Sequence, residues 1–183
     1  MPKIKLGINV YEAAQQRVSW SFDYFEKLYI SLSGGKDSTT MFHIVMDEAI
    51  KRNKKVGVFI VDLEGQYNLT IENINNLVNE YKEYIDLYWV CLPISLRNAV
   101  SVYEPKWICW DNDKKDDWIR PMPENCIKDL NYFPFFKYGM EFEEFMVLFG
   151  EWYSKGKKSG CFVGIRTDES LNRFRTIASS KKN

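Results

Sequence analysis

Residues 31–38 read Ser-Leu-Ser-Gly-Gly-Lys-Asp-Ser, and no other stretch constrains the fold as much. They follow an apolar run, Leu28-Tyr29-Ile30-Ser31-Leu32, and precede a helical pattern beginning near Ser38. A strand, a tight glycine turn and a helix N-terminus, in that order, make an anion site. Gly34 and Gly35 can take backbone angles that a side chain would forbid. Their amides, with those opening the next helix, can point at a phosphate, and the helix dipole favours negative charge there. Lys36 adds a mobile positive charge, and Ser38 suits the helix cap and offers a hydroxyl. Glycine pairs are also common in turns, so the plain alternative is an ordinary strand-to-helix connection. A Walker loop fits less well, because it needs Ser or Thr directly after the lysine, where this chain has Asp37.

The rest of the chain alternates helical and strand patterns. Val10, Ala14, Val18, Phe22 and Phe25 recur at helical spacing and predict a helix over 10–26. Strands are expected at 28–32, at 56–61 and at 85–90. The run Val-Gly-Val-Phe-Ile-Val at 56–61 suits a parallel strand covered on both faces. Helical stripes start at Met41, at Ile71 and at Phe142, and a fourth strand is expected over 161–165. This alternation predicts an α/β fold, a Rossmann-like parallel sheet flanked by helices with right-handed crossovers. Residues 93–137 differ. They hold five prolines, at 93, 105, 121, 123 and 134, and tryptophans at 107, 110 and 118, with no clear period. They are expected to form an irregular aromatic-rich insertion within a single 1–183 domain.

The chain has 183 residues, enough for one domain with its own core, and 45% of them are apolar. Lys plus Arg equals Asp plus Glu at 25 each, which gives no direct signal for nucleic acid. No run of about 18 apolar residues occurs, so a soluble cytoplasmic protein is expected. The cysteines at 91, 109, 126 and 161 lack CxxC spacing, so zinc-ribbon and redox signatures are absent. Cys91 and Cys161 are expected to be small buried hydrophobes.

Ligands of such sheets sit at the carboxyl ends of the strands, and three polar clusters follow predicted strands. The first is the glycine loop. The second is Asp62-Leu63-Glu64, whose acids can bind a ribose hydroxyl or a magnesium ion, or alternatively sit in a polar loop. The third is Arg166-Thr167-Asp168-Glu169-Ser170 with Arg173. Arg166 and Arg173 can grip phosphate or sulfate oxygens, or pair with the nearby acids. In the aromatic block a ring can stack on a base, and Arg97 or Arg120 can reach a phosphate, though burial of the rings is the plainer reading. His43, the only histidine, reads as a helix-surface residue, with a general-base role as the alternative.

These residues together resemble a known family. Ser33-Gly34-Gly35-Lys36-Asp37-Ser38 looks like the PP-loop of the adenine nucleotide alpha hydrolase superfamily. Gly164-Ile165-Arg166-Thr167-Asp168-Glu169-Ser170, with Arg173, resembles the arginine-bearing motif of phosphoadenosine phosphosulfate reductases. The stretches 62–67 (DLEGQY), 96–111 (LRNAVSVYEPKWICWD) and 118–123 (WIRPMP) resemble a bacterial and phage branch of that family, one linked to a ParB-like partner. The resemblance implies ATP or phosphoadenosine phosphosulfate as ligand, with no iron–sulfur cluster. It implies that Ser33, Gly34, Gly35, Lys36, Asp37 and Ser38 cradle the phosphates, with Asp62, Glu64 and Arg166 alongside. Lys36, Arg166 and Arg173 would then serve catalysis, and Asp37 with Glu64 would hold Mg2+.

Two departures bear on the chemistry. Reductases carry a Glu-Cys-Gly-Leu-His tail, and this chain ends at Lys181-Lys182-Asn183 without one. Members of the branch run longer, so the chain is expected to be a fragment or a short form. Three functions therefore stay open: a sulfonucleotide-reductase-like enzyme, an ATP pyrophosphatase that adenylates another substrate, and a noncatalytic nucleotide-dependent regulator of a partner.

Overall fold

A computed structural model describes residues 7–98, 100–166 and 170–178. Helix α1 spans Val10–Tyr24 and opens on a capping box. The Asn9 side chain accepts from the Glu12 amide at 2.8 Å, and the Glu12 carboxylate accepts from the Asn9 amide at 3.3 Å. There follow β1 (Lys27–Ser31), α2 (Lys36–Lys51), β2 (Val56–Val61), α3 (Asn68–Glu80) and β3 (Ile85–Val90). After the insertion come α4 (Phe142–Ser154), β6 (Ser159–Val163) and α5 (Leu171–Ala178). The protein is α/β, as the alternation predicts. Helix α2 starts two residues earlier than expected, at Lys36, and the last strand is shifted to 159–163.

β1, β2, β3 and β6 form one parallel sheet in the order β3-β2-β1-β6. From β1 the chain steps to β2 and then β3, so right-handed crossovers place α2 and α3 on one face. It then returns across the sheet to pair β6 with the other side of β1, which puts α4 on the opposite face. Alternation along the strands supplies both faces. Tyr29 and Phe59 meet α4, and Phe149 stacks on Phe59 with 3.7 Å between centroids and 10° between planes. On the α2 side, Phe42, Val45, Met46 and Ala49 are fully buried, as is Ile74 of α3.

The insertion has more order than its sequence suggests. β4 (Ser95–Arg97) and β5 (Lys106–Ile108) form an antiparallel pair, and a 3₁₀ helix spans Asn112–Asp117. Ile127 then bridges the edge of β3, donating to Trp89 O at 2.6 Å and accepting from the Cys91 amide at 2.9 Å. Trp110 and Phe133 are buried, and Phe133 lies edge-on to Phe145 of α4 at 5.4 Å. The rings here serve mainly as core. No helix among the described residues is long and apolar enough to cross a membrane.

Candidate functional site

The strand order reverses at β1. β2 lies on one side and the returning β6 on the other, because the connection from β3 to β6 through α4 crosses the face opposite α2 and α3. The crevice outside the carboxyl ends of β1 and β6 is where such sheets take ligands. The glycine loop leaves β1 into this crevice, and residues 164–166 leave β6 into it.

The loop is shaped by contacts that only glycine permits. Gly34 has φ +76°, and a Cβ there would lie 2.7 Å from Thr70 Cγ2 and 2.9 Å from Ile74 Cδ1 of α3. Gly35 is the N-cap of α2 and offers no side-chain acceptor to the first turn. The amides that open a helix lack intrahelical partners, so this end of α2 is suited to an external anion. Ser38 is buried; its hydroxyl donates to Gly35 O at 3.0 Å and lies 2.9 Å from Ser33 Oγ, tying the two ends of the loop together. Ser38 is thus a brace inside the first turn rather than the helix cap expected from its position.

β6 reaches the same loop. A Cβ on Gly164 would sit 2.8 Å from both N and Cα of Ser38, so the strand exit lies directly against the start of α2. Two residues on, Arg166 Nε donates to Asp37 Oδ2 at 3.2 Å, across 129 positions of sequence. Lys36 is exposed beside them. The structure therefore brings Ser33, Gly34, Gly35, Lys36, Asp37, Ser38 and Arg166 to one place. Arg173 lies exposed in the first turn of α5, where its amide donates to Ser170 Oγ at 3.2 Å. Thr167, Asp168 and Glu169 lie outside the described residues.

The acids after β2 need a correction. Asp62 is fully buried, and its carboxylate accepts from the Glu64 amide at 2.9 Å, from Trp89 Nε1 at 3.0 Å and from Arg120. Arg120 is itself 8% exposed, with its guanidinium 5.1 Å from the Trp110 ring centroid. Glu64, in the left-handed region at φ 65°, turns inward to accept from the Trp110 amide at 2.8 Å and the Ile119 amide at 3.3 Å. Both carboxylates are occupied by protein donors. They anchor the insertion to the sheet edge instead of facing ribose or metal, and Arg120 is drawn into that anchor instead of toward a phosphate. Asp37 and Glu64 serve different networks, and no group of three or more His, Cys, Asp or Glu among the described residues is placed to hold a metal ion. The pair does not fit the magnesium site expected of it.

Other expected residues also move. Cys91 is buried as expected, but Cys161 is exposed, because β6 is an edge strand. Burial pushes the Cys91 and Cys109 thiols up, the latter to about 12. The half-buried Cys126 is lowered by its hydrogen bond to Cys91. His43 is not simply a surface residue, since its Nδ1 lies 3.1 Å from the Tyr81 hydroxyl. Trp107 is the half-exposed ring of the aromatic block, at 37%.

Two further contacts support the loop. One is the contact of Gly164 with α2. The other is Asn73 of α3, whose Nδ2 donates to Gly34 O and Thr39 Oγ1, both at 3.4 Å. Neither has a local signature, because each acts on residues distant in the chain.

No protein-family model matches the chain. It is 40% identical over 181 residues to a protein of Escherichia coli (strain K12) described as the uncharacterized protein YbdN. The match takes in 98% of this chain and 44% of YbdN, so the chain spans less than half the length of that relative.

Proposed function

We propose that the chain binds an adenine nucleotide or sulfonucleotide, ATP or phosphoadenosine phosphosulfate, as a cytoplasmic enzyme of the phosphoadenosine phosphosulfate reductase-like, PP-loop kind. The observation that carries this is the convergence of the glycine loop with Arg166 at the reversal of strand order, seen in the 3.2 Å contact to Asp37. An anion there would meet first-turn amides, the α2 dipole, Lys36 and Arg166, which together favour a group bearing several negative charges. Gly34, Gly35 and Lys36 would hold its phosphates, with Ser38 bracing the loop from within. Arg166 would offset charge developing as a phosphate or sulfate bond breaks, a preorganised electrostatic role. The almost fully exposed Val100, Val102 and Tyr103 offer a surface for the protein partner that the family resemblance implies.

Calorimetric titration with both nucleotides tests the reading. Lys36→Ala combined with Arg166→Ala should weaken binding by at least about tenfold, the size expected when charged hydrogen bonds are lost. Unchanged affinity contradicts it.

The cysteines favour a second reaction at the same loop. Cys91 and Cys109 are buried, Cys126 is engaged with Cys91, and the exposed Cys161 lies within β6 opposite Tyr29 rather than on the loop. Cleavage of ATP between its α and β phosphates, with adenylation of another substrate, needs no thiol nucleophile. Pyrophosphate release in the presence of candidate acceptors supports that reaction, and thioredoxin-dependent sulfite release supports the reductase.

A further inference from the structure

We infer that Asn73, on α3, is a positioning residue that sets the direction of the loop amides. The inference rests on the anion site proposed above. A trans peptide holds its C=O and N–H pointing opposite ways. The carbonyl of Gly34 and the amide of Gly35 belong to one such unit. Asn73 Nδ2 takes the Gly34 carbonyl oxygen at 3.4 Å and so fixes it toward α3. The Gly35 N–H is thereby directed away from α3, toward the outer side of the turn, where an anion would need it.

The glycine would otherwise leave this peptide free to rotate. Thr70 and Ile74 crowd the position of the missing Cβ, one on each side of Asn73 in sequence. They restrict where the Gly34 Cα can sit, but they do not select the orientation of the following peptide plane. The carboxamide does, because it donates a hydrogen bond to the oxygen. Its second acceptor, Thr39 Oγ1 at 3.4 Å, lies in the first turns of α2 and holds the carboxamide between loop and helix. Three elements therefore meet at one side chain: the loop after β1, helix α2 that follows it, and helix α3 beyond β2.

Three variants separate this role from simple bracing. Asn73→Ala removes the donor and should weaken pyrophosphate and ATP about tenfold, as expected for loss of a hydrogen bond that orients a donor. Asn73→Asp places a carboxylate against the Gly34 carbonyl, repels it, and should weaken both ligands further. Thr39→Val removes only the link to α2 and should leave affinity within about twofold. In nitrogen–proton correlation spectra, the Gly35 amide should shift on adding pyrophosphate to the wild type and to Thr39→Val, and shift little in Asn73→Ala. If Asn73→Asp does not fold, the other two variants decide the matter.

Wild-type protein that binds neither pyrophosphate nor ATP refutes the anion site itself. Wild-type binding with Asn73→Ala unchanged in affinity and in the Gly35 shift overturns the inference and leaves the site standing. Equal losses in Asn73→Ala and Thr39→Val would also overturn it, since bracing of α2 against α3 would then account for the effect.

Discussion

Arg120 is the residue through which the insertion is held to the sheet. Its guanidinium reaches Asp62, and both side chains are nearly or fully buried. Replacing Arg120 with Met leaves the Asp62 carboxylate buried without its counterion. It should destabilise the protein by about 3–5 kcal/mol, because an uncompensated buried charge costs several kcal/mol. Denaturant unfolding measures this, and a loss below about 1 kcal/mol would show the pair to be dispensable. Asp62→Asn separates the anchoring role of this carboxylate from a ligand-binding one. It should lower stability yet leave the nucleotide affinity of the folded protein close to wild type, whereas a ribose-binding Asp62 would show the reverse. The glycine loop was legible because its chemistry is local: glycines, a lysine and a helix start lie within a few residues. The roles of Asp62 and Glu64 were not, because all but one of the groups that occupy them come from 27 to 58 positions away. No local pattern distinguishes an acid facing a ligand from an acid facing a distant amide.

Helix α4 joins the sheet to the insertion through a block of rings. Phe149 is fully buried and contacts Phe59, Tyr29 and Phe133. Phe149→Ala should cost about 3–5 kcal/mol, the usual range for truncating a buried aromatic. A loss under about 1 kcal/mol in denaturant unfolding would mean that the ring stack is not the contact holding α4 down. The insertion also has a pH-sensitive element. The Tyr138 hydroxyl donates to Asp111, which holds the Asp111 carboxyl below the usual carboxylate range and pushes Tyr138 up to about 12. A depressed carboxyl contributes stability above its unfolded value and loses it as pH falls through the folded one. The raised phenol contributes below its ordinary value and loses that as pH rises through about 12. The stability difference between wild type and Tyr138→Phe should thus vanish in acid and be present near neutrality, small because both groups are largely solvated. A difference that persists below about pH 2 would contradict this sign. The main elements were legible because their periodicity is imposed by burial: 56–61 and 85–90 are strands over the residues expected. The β4–β5 pair was not, since each strand is three residues long and mostly unburied, too short to show alternation.

On the scale of the molecule, the decisive feature is where β6 returns. Had it paired beyond β3, Arg166 would lie far from the loop. By pairing with β1 it brings Gly164 against Ser38 and Arg166 against Asp37. The alternation of elements predicted a parallel sheet, but the order of its strands rests on pairings between segments distant in the chain, which periodicity does not encode. The proposed activity requires that this convergence receive a nucleotide. A crystal structure of the protein soaked with ATP or phosphoadenosine phosphosulfate tests it most directly. A phosphate or sulfate oxygen is expected within about 3 Å of the Gly35 or Lys36 amide nitrogen, with Arg166 turned toward the same group. A nucleotide bound elsewhere at saturating concentration, with the loop and the Asp37–Arg166 contact unchanged, would contradict it.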